Sequence, residues 1–485
     1  MNNPRSMKST WPLSNKSEWK LSQQIIHVLD VYPIQPGKEV PVHPKTEKLP
    51  YFAQWQSHVW VLLHAFIPIA IHQSLLSVTH EEGLHPVIIF GLYFVTFSWT
   101  VIRQVRASQK LGHEYGFLDG DVHDRDGIPD IGVDKVVTSL YKTTGSRIFM
   151  ATHISYKVSQ SPASVMSDPY WWGWLWFQIG LYGVILDFWF YVYHRAMHDI
   201  DVLWKYHRTH HLTKHPNTLL AAFADHEQEF FDMVGVPFLT WATFWAFGIP
   251  LGFYEWWICH QYIAFTEVLG HSGLRVYGMP PSTFSWILTL VGAELVIEDH
   301  DLHHRKGYRK SHNYGKQTRV WDRLFGTCHE RIEAKKENVN WNECHRWTSP
   351  TFVICCTQCH GETMSIKPSD TTPALATSII ETQSTETFAV TIAATETGGT
   401  EFATAALFLE SGTTLGITSE AITATQDATT TTMAVTTSAP TQPPKTYEDI
   451  PSPYAATDGT TFKVHCESFS SVYSIFGNII TDTLG

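Results

Sequence analysis

Histidines are the residues of this chain whose type and spacing could do chemistry. Three clusters carry them: His194-Arg-Ala-Met-His198, His207-Arg-Thr-His210-His211 and His300-Asp-Leu-His303-His304. On a helix, positions three and four apart share a face, so the imidazoles of a cluster can reach one metal. The clusters supply eight imidazoles, more than the three or four protein ligands of a zinc site. They suit two first-row ions, and imidazole is a proper ligand for iron. A hydrolytic di-zinc enzyme normally includes carboxylates among its ligands, and this set is almost purely histidine.

The clusters need apolar elements to position them. Apolar stretches cover residues 58–76, 87–105 and 171–193, each near the roughly 20 residues that span a bilayer. The third opens on WWGWLW, as an interfacial aromatic belt does. Residues 230–270 are apolar but too long for one helix, and GIPLG at 248–252 divides them into a hairpin, 230–247 and 253–269. Such a hairpin returns both outer ends to one side of the membrane. His226 (AFADHEQEF) and His271 (LGHSG) then join the clusters as two further candidate ligands. The expected fold is an all-α integral membrane protein with about four to five transmembrane helices, capped by a helical, histidine-rich di-metal domain. If the first two segments both span, residue 1 lies across the membrane from the histidines. If one lies in the interface, it does not, and the Lys/Arg distribution fits either.

Composition agrees with a membrane protein. Of 485 residues 44% are hydrophobic and 16% charged, against about 25% charged in soluble domains. A net charge of −12 argues against a nucleic-acid partner, since phosphate contacts need clustered Lys and Arg. The 7 cysteines are odd in number and irregular in spacing, which is not a disulfide framework. No apolar run near the start marks a cleavable signal peptide. Residues 1–50 form a polar, loosely ordered lead-in; 51–110 hold the first transmembrane pair; 111–168 are a polar connecting segment; 169–335 hold the histidine clusters. Residues 336–485 are a Thr/Ser/Ala-rich tail, largely disordered because so little of it can be buried.

HRAMH, HRTHH and DHDLHH, with the downstream run HNYGKQTRVWDRLFGT at 312–327, resemble the fatty acid hydroxylase/sterol desaturase superfamily over about residues 165–330. The match extends to His226, although Glu227 stands where the family usually has proline. The resemblance implies a catalytic domain over 169–335. It also implies two iron ions, O2 as co-substrate, and hydroxylation or desaturation of a lipophilic substrate such as a sterol, a fatty acyl chain or a terpenoid or polyketide-type metabolite. It implies a multi-pass endoplasmic reticulum protein whose metal site faces the cytosol. It further implies electrons from NAD(P)H through a donor of the cytochrome b5 and cytochrome b5 reductase type, an external one since the sequence has no haem-binding HPGG motif.

The chemistry agrees with such a centre. Side-chain acid–base catalysis cannot break an unactivated aliphatic C–H bond, so a redox metal must carry the reaction. Asp187, Asp199, Glu229, Glu267 and Asp299 are the carboxylates expected to take the free imidazole N–H groups. Cys356-Thr-Gln-Cys359-His360 has the spacing of c-type haem attachment but stands at the edge of the tail without an export signal. A transporter would place polar groups mid-membrane, whereas these histidines flank the apolar segments. A catalytically inactive relative would have lost ligands, and all eight are present.

Overall fold

The computed structural model describes residues 7–345, 376–381 and 387–392. The Cys356–His360 motif and most of the Thr-rich tail lie outside the described residues.

Three described helices are long and apolar enough to cross a membrane: α2 (Gln54–Thr79), α3 (Pro86–Tyr115) and α6 (Pro169–Asp199), after a short α1 (Leu21–Val28). Local chemistry starts the two longest. His85 caps α3 by accepting from the Val87 N–H, with Pro86 at the first helical position. Asp168 does the same for α6, accepting from Tyr170 ahead of Pro169. On α2 the exposed residues Val59, Leu63, Ile67, Ile71 and Leu75 recur every fourth position. That is a continuous apolar stripe, as lipid contact requires.

The polar connecting segment contains a long helix, α4 (Val133–Ser155), packed on α3, and a short α5 (Pro162–Met166). After α6 come α7 (Asp201–His207), α8 (His226–Phe230), a π-helical turn over Phe231–Gly235, α9 (Val236–Ala246) and α10 (Phe253–Gly270). The hairpin break is real, and Gly248 turns it with φ +73°. Its first arm is one unbroken helical run, α8 and α9 joined through the π-helical turn, from His226 to Ala246. α10 is buried on nearly every side and serves as the central helix of the bundle. Three described helices meet the length and hydropathy of a span, set against the four to five expected.

Two expectations are corrected. The lead-in is packed: Trp11, Trp19 and Ile26 are buried against Val105, Val133 and Phe223, and the Trp11 indole donates to the Ile128 carbonyl at 3.1 Å. Nor is the fold wholly helical. Strands β1 (Leu49–Phe52), β2 (Tyr277–Gly278) and β3 (Val339–His345) form a parallel sheet in the order β2-β1-β3. Tyr51 pairs with Tyr277, and Leu49 with Val339, so residues 339–345 belong to this unit and not to a tail. In a separate unit, β4 (Ala376–Glu381) and β5 (Thr387–Ile392) pair antiparallel. The remaining helices are α11 (Ser285–Leu290), α12 (Ile297–Arg305) and α13 (Val320–Leu324).

Candidate metal centre

Nine of the ten candidate histidines are buried and converge in two groups. The first is His194, His198, His207, His211 and His303; the second is His210, His271, His300 and His304. Within a cluster, positions four apart reach the same group and the remaining histidine reaches the other. His207 and His211 face the first group while His210 faces the second, and His300 and His304 face the second while His303 faces the first. Adjacent helical positions differ by about 100° in direction, so each His-His doublet bridges the two groups. His226 is not brought in. It is the first residue of α8 and is exposed; two positions later, Gln228 reaches the site instead.

Lone pairs fill the centre of the first group. His194 donates through Nδ1 to the Tyr314 carbonyl (2.7 Å), His198 to that of Arg309 (3.0 Å) and His303 to that of His312 (2.6 Å). His207 donates to the Gln228 side-chain oxygen at 3.0 Å. A neutral imidazole that spends its proton on Nδ1 has only a lone pair at Nε2. Yet His194 and His207 approach Nε2 to Nε2 at 2.9 Å, and His198 and His207 at 3.1 Å. These two contacts are repulsive unless a cation sits among them. His211, whose Nδ1 has no partner, meets His303 at 3.0 Å. An imidazole nitrogen lies about 2.1 Å from a first-row ion, so ligands at right angles stand about 3.0 Å apart and tetrahedral ones about 3.4 Å. The spacings fit a cation held by ligands at right angles.

The second group is looser. His271 and His300 face each other at 3.0 Å and His210 and His271 at 3.4 Å, while the buried His304 Nε2 has no partner. His271 donates to its own helix at Glu267 O (2.9 Å), and His304 to Thr213 O (3.1 Å). The Nδ1 atoms of His210 and His300 have no partner.

Burial keeps these imidazoles neutral, as ligands must be. It pushes His210 down to about 3, with His271 adding to the effect. It also holds His207, His211, His300, His303 and His304 well below the ordinary histidine range, each further depressed by neighbouring histidines.

The carboxylates act differently from expectation. Of the five named, only Glu267 approaches an imidazole, 3.5 Å from His271 Nδ1, while its other oxygen pairs with Lys316 at 2.9 Å. Asp187 instead accepts the backbone N–H groups of Lys316, Gln317 and Thr318 and the Thr318 hydroxyl. Asp322 accepts those of Tyr314 and Gly315. Together they fix the 312–318 segment whose carbonyls orient His194 and His303. Asp299 pairs with Arg331, Glu229 accepts from Thr143, and Asp199 is exposed beside Arg195. Glu298, pushed up to about 7 by burial, accepts the N–H groups of Ile332, Glu333 and Ala334, bracing α12.

A buried pair of histidine groups that could hold metal, in one chain with three candidate spans, is the architecture of a multi-pass membrane protein with a metal centre. Residues 179–327 match the family model described as fatty acid hydroxylase. The chain is 46% identical to the fatty acid hydroxylase vlmA of Lecanicillium sp, over 63% of this chain and 86% of that protein. It is 29% identical to an alkylglycerol monooxygenase of Xenopus tropicalis over 33% of this chain and 31% of that one. It is 32% identical to a Delta(7)-sterol-C5(6)-desaturase of Nicotiana tabacum over 34% and 55%. No solved structure matches it. The chain belongs to the fatty acid hydroxylase family, a family of lipid-modifying oxidoreductases.

Proposed function

We propose that the chain is an O2-dependent di-iron hydroxylase of a lipophilic substrate, with the catalytic domain over residues 169–335. The carrying observation is the facing Nε2 lone pairs of His207 against His194 and His198, at 2.9 and 3.1 Å, in three rings whose protons are committed to Nδ1. In this reading His194, His198, His207, His211 and His303 hold one ion, and His210, His271, His300 and His304 the other. Bound iron supplies O2 activation and the oxidising power to break an unactivated C–H bond. The chain's own residues keep nine imidazoles deprotonated, hold the first group's rings by fixed carbonyls and Gln228, and exclude water by burial. His226 is left out of the ligand set.

The most extensive of the reported similarities is to a protein named a hydroxylase, which favours oxygen insertion over desaturation. Membership of a family that includes monooxygenases and desaturases supports a lipid partner in the bilayer. We place the protein in the endoplasmic reticulum membrane with its histidine groups toward the cytosol. There a cytochrome b5-type donor passes on electrons from NAD(P)H.

Metal analysis of the full chain purified in detergent tests the reading without knowledge of the substrate. About two irons per chain, with loss on His207→Ala, are expected, followed by lipid turnover with NADH and O2. Iron-replete protein with no bound metal, or His207→Ala protein that still turns over, would overturn it.

A further inference from the structure

Ring by ring, the shortest way from the five-histidine group to solvent passes through one indole. Trp204 on α7 is 9% exposed, and its ring lies 5.3 Å from that of His198, 5.8 Å from His211 and 6.0 Å from His207. It also meets the ring of Tyr308, T-shaped at 5.0 Å, and Tyr308 is 44% exposed. Two rings in series thus join the surface to three of the five imidazoles. A second aromatic route runs through Tyr314 and Tyr191 to the exposed Phe325, and it is one ring longer. Electron tunnelling falls steeply with distance, so the shorter route dominates.

The surface around Tyr308 is positively charged. Lys306, Arg309 and Lys310 flank it in the loop after α12, and Lys205 and Arg208 follow Trp204; all five are exposed. The Lys214 ammonium stands 4.8 Å over the Tyr308 ring. Asp199 and Asp201, the nearest acids in sequence to Trp204, are taken up by Arg195 and Arg309. Lys205, Arg208, Lys306 and Lys310 have no ion-pair partner among the described residues. In a chain whose net charge is −12, this concentration of cations is local. Such a surface steers and holds an acidic partner. The same loop also reaches the metal group, because the Arg309 carbonyl accepts from His198 Nδ1 at 3.0 Å.

We propose that the exposed cations at 205–208 and 306–310 dock an acidic one-electron carrier protein, and that Tyr308 and Trp204 relay its electron to the five-histidine group. The assignment rests on the hydroxylase reading and gives its electrons a point of entry. In each transfer the carrier is oxidised by one electron and a ferric ion in that group is reduced to ferrous. No bond forms or breaks, and the two rings are left unchanged. A lipid headgroup would answer the charges but not the pair of rings beneath them.

The test uses the full, iron-loaded chain in phosphatidylcholine discs, with the soluble haem domain of cytochrome b5 as the acidic carrier. Calorimetry reads its affinity, and stopped-flow absorbance reads oxidation of the prereduced haem at saturation. The double variant Lys306→Glu/Lys310→Glu should bind about tenfold or more weakly at low salt, and the gap to wild type should close as salt rises. Trp204→Leu should slow haem oxidation severalfold or more with affinity and iron content kept, and Trp204→Phe should restore most of the rate. If Trp204→Leu does not fold, Tyr308→Leu at the exposed position gives the same readout. Unchanged affinity in the charge variant overturns the docking surface. So does a loss confined to phosphatidylserine vesicles, which would assign the cations to lipid. Unchanged rates in Trp204→Leu or Tyr308→Leu overturn the relay. Salt-dependent docking, lost in the charge variant, to a chain that binds no iron would support the surface and sink the hydroxylase reading.

Discussion

The two histidine groups share α12 and the His210-His211 turn and differ in how firmly they are held. The first has five imidazoles, four of them hydrogen-bonded through Nδ1 to fixed acceptors. The second has four, and two of those have no partner at Nδ1. Partners that orient a ligand are worth about 10–100-fold in metal affinity. The first group should therefore be the tight site and the second the exchangeable one. The difference traces to sequence: α6, the 312–318 segment and Gln228 all serve the first group, while the second relies on α10 and Thr213.

That comparison presumes that both groups are neutral, and acid is the broadest way to break it. In the unfolded chain an imidazole takes a proton near pH 6.5. In the fold His210 does so only at about 3, because burial opposes the charge. Between these values the unfolded chain binds more protons, so stability is complete above about 6.5 and falls as the pH drops through this window. Each such histidine contributes up to about 1.4 kcal/mol per pH unit. The melting temperature of metal-free protein should therefore drop steadily on acidification below about pH 6.5. A midpoint independent of pH there would mean that the imidazoles are charged in the fold.

A smaller effect should fall on the first group alone. Asp187 is fully buried and accepts three backbone N–H groups and a hydroxyl from residues 316–318. Asp187→Ala strands those donors and should cost about 3 kcal/mol or more. It also loosens the Tyr314 carbonyl from His194. Metal titration should show the first site weakened and the second unchanged; equal weakening of both would dissolve the distinction.

Much of this site was legible before the fold was known, and the misses have physical causes. Four-residue spacing placed His194 with His198 and His207 with His211, because helical geometry is local. The division of the doublets depends on what stands on each side of α12, which spacing does not encode. His226 was chosen because it borders a hairpin arm, but it opens α8 and points to solvent. The imidazole partners were sought among carboxylates and proved to be mainly carbonyls. Every residue has a carbonyl, so composition cannot mark them; the HNYGKQTRVWDRLFGT run acts here through its backbone. The pairing of Leu49 with Val339 joins distant parts of the chain in parallel, and neither strand has a turn to announce it.

Gln228 isolates the smallest contribution to the difference between the groups. Its amide oxygen accepts from His207 Nδ1 at 3.0 Å, and His207 is the imidazole that both His194 and His198 face. Gln228→Leu keeps the volume, removes the acceptor and leaves the second group untouched. With its Nδ1 proton unheld, His207 can turn or change tautomer, and the first site should lose about tenfold to a hundredfold in affinity. In wild type, a chelator should strip the metal in two steps, the looser four-histidine group first. In Gln228→Leu the steps should merge, because the tight site has been brought down toward the weak one. Two well-separated steps in the variant would show that Gln228 does not supply the first group's advantage, leaving the fifth imidazole to account for it.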